Sequence, residues 1–537
     1  MKKVLLVVID ALAARIAMPA MRNGRLKHFA ELAERGALRD ECVSIFPSIT
    51  PAATAAIATG VYPVDHRIAG AFWYDRELDE VAYYGDDFWV VANRGINDFF
   101  HDFLVQLNYT RLQAPTIYQW AENAGLTSAV INFMWFRGDN EHAVNPPLMM
   151  KVLPGISRVS EVHGPQLMAL ADFASTKLPG TNRQWEATGG VSRRFGFHDD
   201  TTAEYLLQLT QANPFPDLTV AYFPNNDYVS HDEGPQAAER TLQAVDETLG
   251  EFIEKVGGID SFLREFTLFV LGDHAQTDMV LNTEERGINM FENLSGFRCA
   301  KPGTSPEERD ELIVCPNMRA CHVYFRPRTS RLRDEVIERL LEDSRVDQVF
   351  YRDCGWSDDD SATDDADEWP WFQLATADRG RLRFRAAAAP HPSDDYGNHW
   401  EIDGDYAALD IHVNNGQIGY GEYPNAMERI STGFSPLADD LWVTARPGYE
   451  FQVPETSIHP GGSHGALNRD DSCTMLLTSG VPAEVEIPKI PRTIDIAPLI
   501  LRSLGREDTA AELEASRHRD SCHASPHPGK VEAARSH

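Results

Sequence analysis

Residues 46–60 read Phe-Pro-Ser-Ile-Thr-Pro-Ala-Ala-Thr-Ala-Ala-Ile-Ala-Thr-Gly. Thr50 stands where a helix N-cap belongs, and Pro51 falls at the first helical position, which needs no N–H donor. An alanine-rich run follows, and Gly60 can close the helix in the left-handed conformation. This places the Thr50 hydroxyl beside unpaired backbone N–H groups at the positive end of a helix dipole: an anion site with a nucleophile at its centre. A threonine cap with no further role would read the same way, because Ser and Thr are ordinary caps. The surrounding sequence decides between the two.

Upstream, residues 3–9 are continuously apolar, which predicts a strand buried on both faces, with Asp10 at its carboxyl end. Leu26, Phe29, Leu32 and Ala33 have helical spacing, and Gly36 closes that helix. Downstream, Ile117, Trp120, Ala121 and Ala124 share a helical face before Gly125, and a strand follows over 128–133. A further strand, 218–223, runs into Pro-Asn-Asn-Asp-Tyr-Val-Ser-His. A helix then carries Leu242, Val245, Leu249, Phe252, Ile253 and Val256 on one face. The apolar strand 267–271 ends in Gly272-Asp273-His274. Gly-Gly-Ser-His-Gly at 461–465, a strand near 475–477 and a helix over 494–504 complete the pattern. Strands alternating with helices of this length predict an α/β fold with a mostly parallel central sheet flanked by helices. In such sheets, sites form beyond the carboxyl ends of the strands.

The chain of 537 residues exceeds what one core supports. Residues 1–282 and 456–515 are expected to form the main domain. The stretch 283–455, with its strand at 321–325 and amphipathic helix at 331–341, is expected to be an inserted, smaller α+β cap domain. The acidic run 358–368 lacks the glycine and the final glutamate of an EF-hand calcium loop and reads as a solvated charge run. Residues 516–537 turn to Arg, His, Ser and Pro and are expected to be a disordered tail. A formal charge of −32 argues against a nucleic-acid polymer or an anionic membrane surface as partner. The seven cysteines are scattered, with no Cys-x-x-Cys pair, which suits a reducing compartment, and the cytoplasm is the expected location. The apolar start stops at Asp10, too short for a signal peptide, and no run of about 18 apolar residues suggests a membrane span.

Carboxylates and imidazoles recur at the predicted strand ends: Asp10, then Asp227 with His231, then Asp273 with His274. His464 sits in a glycine-rich loop. Any one of these alone reads as an ordinary polar or core residue. Together with a hydroxyl at a helix N-terminus they point to metal chemistry. Mixed Asp/His sets without cysteine suit zinc, with manganese or iron as alternatives, better than magnesium or calcium. Six such groups can hold two divalent ions.

This order resembles the alkaline phosphatase superfamily, and within it the type I phosphodiesterase/nucleotide pyrophosphatase branch. It consists of an Asp, a Thr opening an Ala/Thr-Gly helix, Asp-x-x-x-His before Gly-Pro, Asp-His, and a late Gly-x-His-Gly. The likeness covers residues 3–75, 218–280 and 460–505. It implies that Asp10, Thr50, Asp273 and His274 bind the ion that activates the nucleophile, and that Asp227, His231 and His464 bind the opposite ion. His459 is the second choice for the last place. Metal coordination is one of the few ways to make a threonine hydroxyl a nucleophile at neutral pH. Two ions about 3.5–4 Å apart could clamp the attacking and leaving oxygens of a small phosphate-ester substrate. A phosphothreonine would form, and water would then release it.

One departure stands out. Related diesterases usually carry Gly-Asn after the nucleophile helix, whereas this chain reads Gly70-Ala71-Phe72-Trp73-Tyr74. Ala71 cannot supply the side-chain donor, whose loss at a developing charge costs about 10²–10³ in rate when nothing replaces it. Arg137 is a candidate replacement or a surface arginine. Phe72, Trp73 and Tyr74 either line a pocket for the leaving group or pack beneath the insert. A sulfatase is excluded, because Cys42 lacks the x-Pro-x-Arg that formylglycine formation needs. A phosphonate hydrolase, a phosphomonoesterase and a metal-binding homologue without activity stay open.

Overall fold

The computed structural model describes residues 2–85, 101–146, 159–356, 369–434, 440–454 and 456–517. The acidic run 358–368 and the tail beyond residue 517 lie outside them. At its centre is an eight-stranded sheet. In spatial order its strands are Gly36–Val43, Cys473–Ser479, Phe266–Leu271, Lys3–Ile9, Leu218–Phe223, Ser128–Ile131, Leu167–Leu170 and Ala174–Ser175. The middle of the sheet is parallel, as the alternation of elements predicts, and Cys473–Ser479 and the terminal pair Ala174–Ser175 run antiparallel to their neighbours.

The first strand shows why the run 3–9 has no polar residue after Lys3. Val4, Leu6 and Val8 pack on one face, against the alanines of the Thr50–Thr59 helix. Leu5, Val7 and Ile9 pack on the other, with Phe29, Leu32, Leu242, Val245 and Leu249 of the covering helices. Register then fixes the site. Ile9 lies beside Phe223 and Val8 beside Leu271, so three carboxyl ends emerge together.

A second sheet of seven strands, all antiparallel, draws on residues 312–404 and 441–445. The helix Ser330–Leu341 packs on one of its faces, and Phe46 of the main domain packs on the other. Among the described residues no helix is long and apolar enough to cross a membrane.

Two local expectations need correction. Gly36 does not close the preceding helix but opens the strand Gly36–Val43. Its missing side chain is required by packing, because a Cβ there would lie 1.9 Å from the Thr478 carbonyl oxygen. Thr50 is not the N-cap. Ile49 holds the extended conformation before the helix, and Thr50 is the first helical residue, with its hydroxyl turned elsewhere. Gly60 does close the helix, at φ 73°. The chain stays attached past residue 515, since Arg517 donates to the Gly60 and Ile494 carbonyls at 2.8 Å each.

Candidate active site

Asp10 leaves the first strand only 4% exposed, and Asp273 and His274 leave the neighbouring strand with no exposure at all. Asp227 and His231 share one face of the helix Asn225–Glu233, four residues apart, and His464 enters from the glycine-rich loop. Two groups of three converge: Asp10, Asp273 and His274, and Asp227, His274 and His464. The candidate ligand atoms within each group lie within 4.8 Å of one another. His274 therefore borders both groups rather than the first alone. His231 stands beside the second, with Nε2 3.3 Å from Asp227 Oδ1. The Thr50 hydroxyl lies 3.0 Å from His274 Nε2. His459 is set back, its ring 3.9 Å from that of His231 and its Nδ1 2.9 Å from Glu450.

The imidazoles share one arrangement. Nδ1 of His231 donates to the Gly462 carbonyl at 2.8 Å, Nδ1 of His274 to Ala275 at 3.0 Å, and Nδ1 of His464 to Ser48 at 2.7 Å. A carbonyl can only accept, so the proton sits on Nδ1 and the Nε2 lone pair faces the site. That is the tautomer a metal requires, oriented in the way metal-bound histidines usually are.

Nε2 of His231 and His464, Oδ1 of Asp10 and Oδ2 of Asp273 are all buried with no hydrogen-bond partner. Such orphans are costly unless a cation satisfies them. Among the described residues none of the three carboxylates pairs with a lysine or arginine; the basic groups beside them are these histidines. Burial pushes the Asp10 carboxyl well above the ordinary range, the charges of Asp273 and Asp227 add to this, and the Tyr222 hydroxyl bonded to it opposes the shift. Burial raises Asp273 likewise. Burial also acts on Asp227, but His231, His464 and His274, when protonated, outweigh it and hold that carboxyl below the usual range. The donor set fits divalent ions.

The sequence gives no hint of several residues that hold this arrangement. Asn226 donates to the carbonyls of Asp10 and Ala11 at 2.8 and 2.9 Å, and Ser44 donates to that of Asp273 at 2.5 Å. The turn Asn317–Arg319 of the second sheet reaches in from the other side. Arg319 and Asp471, neither exposed, form an ion pair there. Arg319 also donates to Thr277 and Asn468, and its main-chain N–H donates to the His464 carbonyl at 2.9 Å. Asp471 accepts from the N–H of Ala466 and, through its carbonyl, from that of Ala275. Both ligand loops are thus fastened to one buried pair. Arg319→Met leaves Asp471 uncompensated and is expected to destabilise the fold by about 3–5 kcal/mol, with part recovered in the double variant carrying Asp471→Asn. Denaturant unfolding measures this, and a loss below about 1 kcal/mol in the single variant would contradict it.

The aromatic residues after Ala71 do not line a pocket. Phe72, Trp73 and Tyr74 are at most 4% exposed and form the short strand Phe72–Asp75, with Tyr74 edge-on to Tyr324 of the second sheet. Their apolar area is fully used in packing. Arg137 does not replace the missing asparagine either. Its guanidinium donates to the carbonyls of Asn108, Leu112 and Ala114 and to Gln119, leaving it fixed in a loop corner. The N–H groups of Ala71 and Phe72 are taken by Asn317 Oδ1, at 2.7 and 3.1 Å. Gly70 makes this close approach feasible, since a Cβ there would lie 2.3 Å from the same oxygen.

The sequence pattern of type I phosphodiesterases/nucleotide pyrophosphatases matches residues 4–467. The chain belongs to that family. It is accordingly a phosphoric ester hydrolase of a metal-dependent kind. Among solved structures, the chain is similar in fold to murine ectonucleotide pyrophosphatase/phosphodiesterase 5, with 14% identity over 94% of this chain and 95% of that one and a TM-score of 0.53. An inactive form of the murine protein in complex with AMP gives 14% and 0.52, and the human protein gives 13% and 0.51, with the same coverage. No curated protein sequence matches the chain.

Proposed function

We propose that the protein cleaves phosphodiester or pyrophosphate bonds of a small phosphate-ester substrate through a phosphothreonine formed on Thr50. The observation that carries this reading is the Thr50 hydroxyl, 3.0 Å from His274 Nε2, among three imidazoles whose Nε2 lone pairs all face inward. Two divalent ions, zinc first, with manganese or iron as alternatives, would be held by Asp10, Thr50, Asp273 and His274 and by Asp227, His231 and His464, and would supply the positive charge that activates the hydroxyl and neutralises the phosphoryl oxygens.

The chain's own residues do the rest. The helix that begins at Thr50 directs its first N–H groups toward a phosphoryl group bound there. The Thr50 oxygen gives up its proton and attacks phosphorus, the ester oxygen on the opposite side departs with the bonding pair and takes up a proton, and Thr50 carries the remaining phosphoryl group. Water attacks that phosphorus in turn, and the Thr50 oxygen leaves and regains its proton.

The murine relative's complex with AMP makes nucleotide esters the first substrates to try. The test is hydrolysis of bis-p-nitrophenyl phosphate beside p-nitrophenyl phosphate by metal-stripped protein resupplied with zinc or manganese. Metal-dependent turnover favouring the diester is expected. A preference for the monoester would make the protein a phosphomonoesterase, and no turnover of either would return the phosphonate and inactive readings.

A further inference from the structure

The three imidazoles are tied down by main-chain carbonyls, whereas the carboxylate between them is held by a side chain. His231 Nε2 lies 3.3 Å and His464 Nε2 3.6 Å from Asp227 Oδ1, yet neither forms a hydrogen bond. The group that does reach this oxygen is Gln276, whose Nε2 donates to it at 2.5 Å from a fully buried side chain. Gln276 follows His274 by two residues, so one short segment delivers a candidate ligand and also the amide that holds another.

The placement of Gln276 is built from both sides. Its main-chain carbonyl accepts from Arg15 at 2.8 Å. The adjoining Thr277–Asp278 pairs with Gly462–Ser463. Gly462 leaves the space the amide occupies, because a Cβ there would lie 2.6 Å from Gln276 Oε1. The chemistry of the group also matters. A carboxamide donates without carrying charge, so it fixes the carboxylate without repelling a cation. A lysine or arginine in its place would compete with the ion, and a glutamate would repel Asp227.

We infer that Gln276 is a positioning residue: its amide N–H sets the orientation of Asp227, so that the carboxylate presents a fixed lone pair to a divalent ion held with His231 and His464. This rests on the metal-dependent reading proposed above. Partners of this kind, behind a metal ligand, usually change metal affinity by about 10- to 100-fold when removed.

The test is zinc titration of metal-stripped protein against a chromogenic chelator, for wild type, Gln276→Met and Gln276→Asn. Methionine keeps the length and loses the donor; asparagine keeps the amide and loses the reach. Circular dichroism of the metal-free proteins verifies that both variants fold. In both, one zinc equivalent is expected to weaken by about 10- to 100-fold while the other keeps its wild-type affinity. Unchanged affinity for both equivalents, or equal weakening of both, would overturn the role of Gln276 and leave the metal reading standing. Wild type that binds neither zinc, manganese nor iron would overturn both.

Discussion

Thr50→Ala is expected to keep both zinc ions, the first held by Asp10, Asp273 and His274 alone, and to lose about 10³–10⁶-fold in kcat for diesters, the range seen when a nucleophile is removed from a covalent mechanism. The separation of the two effects follows from the geometry. The six carboxylate and imidazole groups come from other loops, and none of them depends on the Thr50 hydroxyl for its placement; the hydroxyl contacts His274 Nε2, while Nδ1 of the same ring keeps its bond to Ala275. Losing the side chain should not disturb the helix either, because Thr50 does not cap it and alanine is a better helix former. Thr50→Ser restores the oxygen and is expected to recover a substantial part of the rate. Steady-state kinetics with metal analysis of the same samples measures both quantities. Diester hydrolysis by Thr50→Ala at the wild-type rate would show that Thr50 is not the nucleophile.

Asp273→Asn is expected to change stability in opposite directions with and without metal. Asp10, Asp227 and Asp273 are buried together, and burial raises the carboxyl of Asp273. A carboxyl raised in the fold is destabilised by ionisation at neutral pH, so replacing it with a neutral amide should raise the melting temperature of metal-free protein. The amide oxygen that the substitution introduces can still accept the N–H bonds of Ala11 and His274 that Asp273 Oδ1 accepts at 3.2 and 3.0 Å, so these contacts are kept. With metal the sign reverses. An ion at a thousand times its Kd stabilises the wild type by about 4 kcal/mol, and a site missing one carboxylate forfeits most of this. Thermal unfolding at pH 7 with chelator and with zinc checks both halves. A variant that melts below wild type in chelator, or gains as much as wild type from zinc, would contradict the account.

The parts of this site readable in the sequence are those set by local pattern. Strands buried on both faces are continuous apolar runs, so the ends of 3–9, 218–223 and 266–271 are visible, and so are Asp10, Asp227 and Asp273 just beyond them. Thr50 is found by its helix even though its exact position in the first turn is misjudged by one residue. The misreadings have a common cause in contacts between distant segments. Gly36 looks like a helix stop until Thr478 approaches it, and the sequence leaves Phe72–Tyr74 open between a pocket wall and packing beneath the insert until the second sheet is seen to cover them. Arg137 carries a charge that suggests a substrate, and only the fold shows its donors spent on main-chain carbonyls. Asn317, Arg319 and Gln276 carry no motif. Each acts by where the fold delivers it, across sequence separations that neither spacing nor periodicity can bridge.

The claim on which the rest depends is that phosphorus passes through Thr50. The most direct measurement is the stereochemical course of hydrolysis for a diester made chiral at phosphorus and cleaved in isotopically labelled water by the zinc-loaded enzyme. Attack by Thr50 and then by water inverts phosphorus twice, so retention of configuration is predicted. Inversion would mean that water attacks the substrate directly, with Thr50 a bystander.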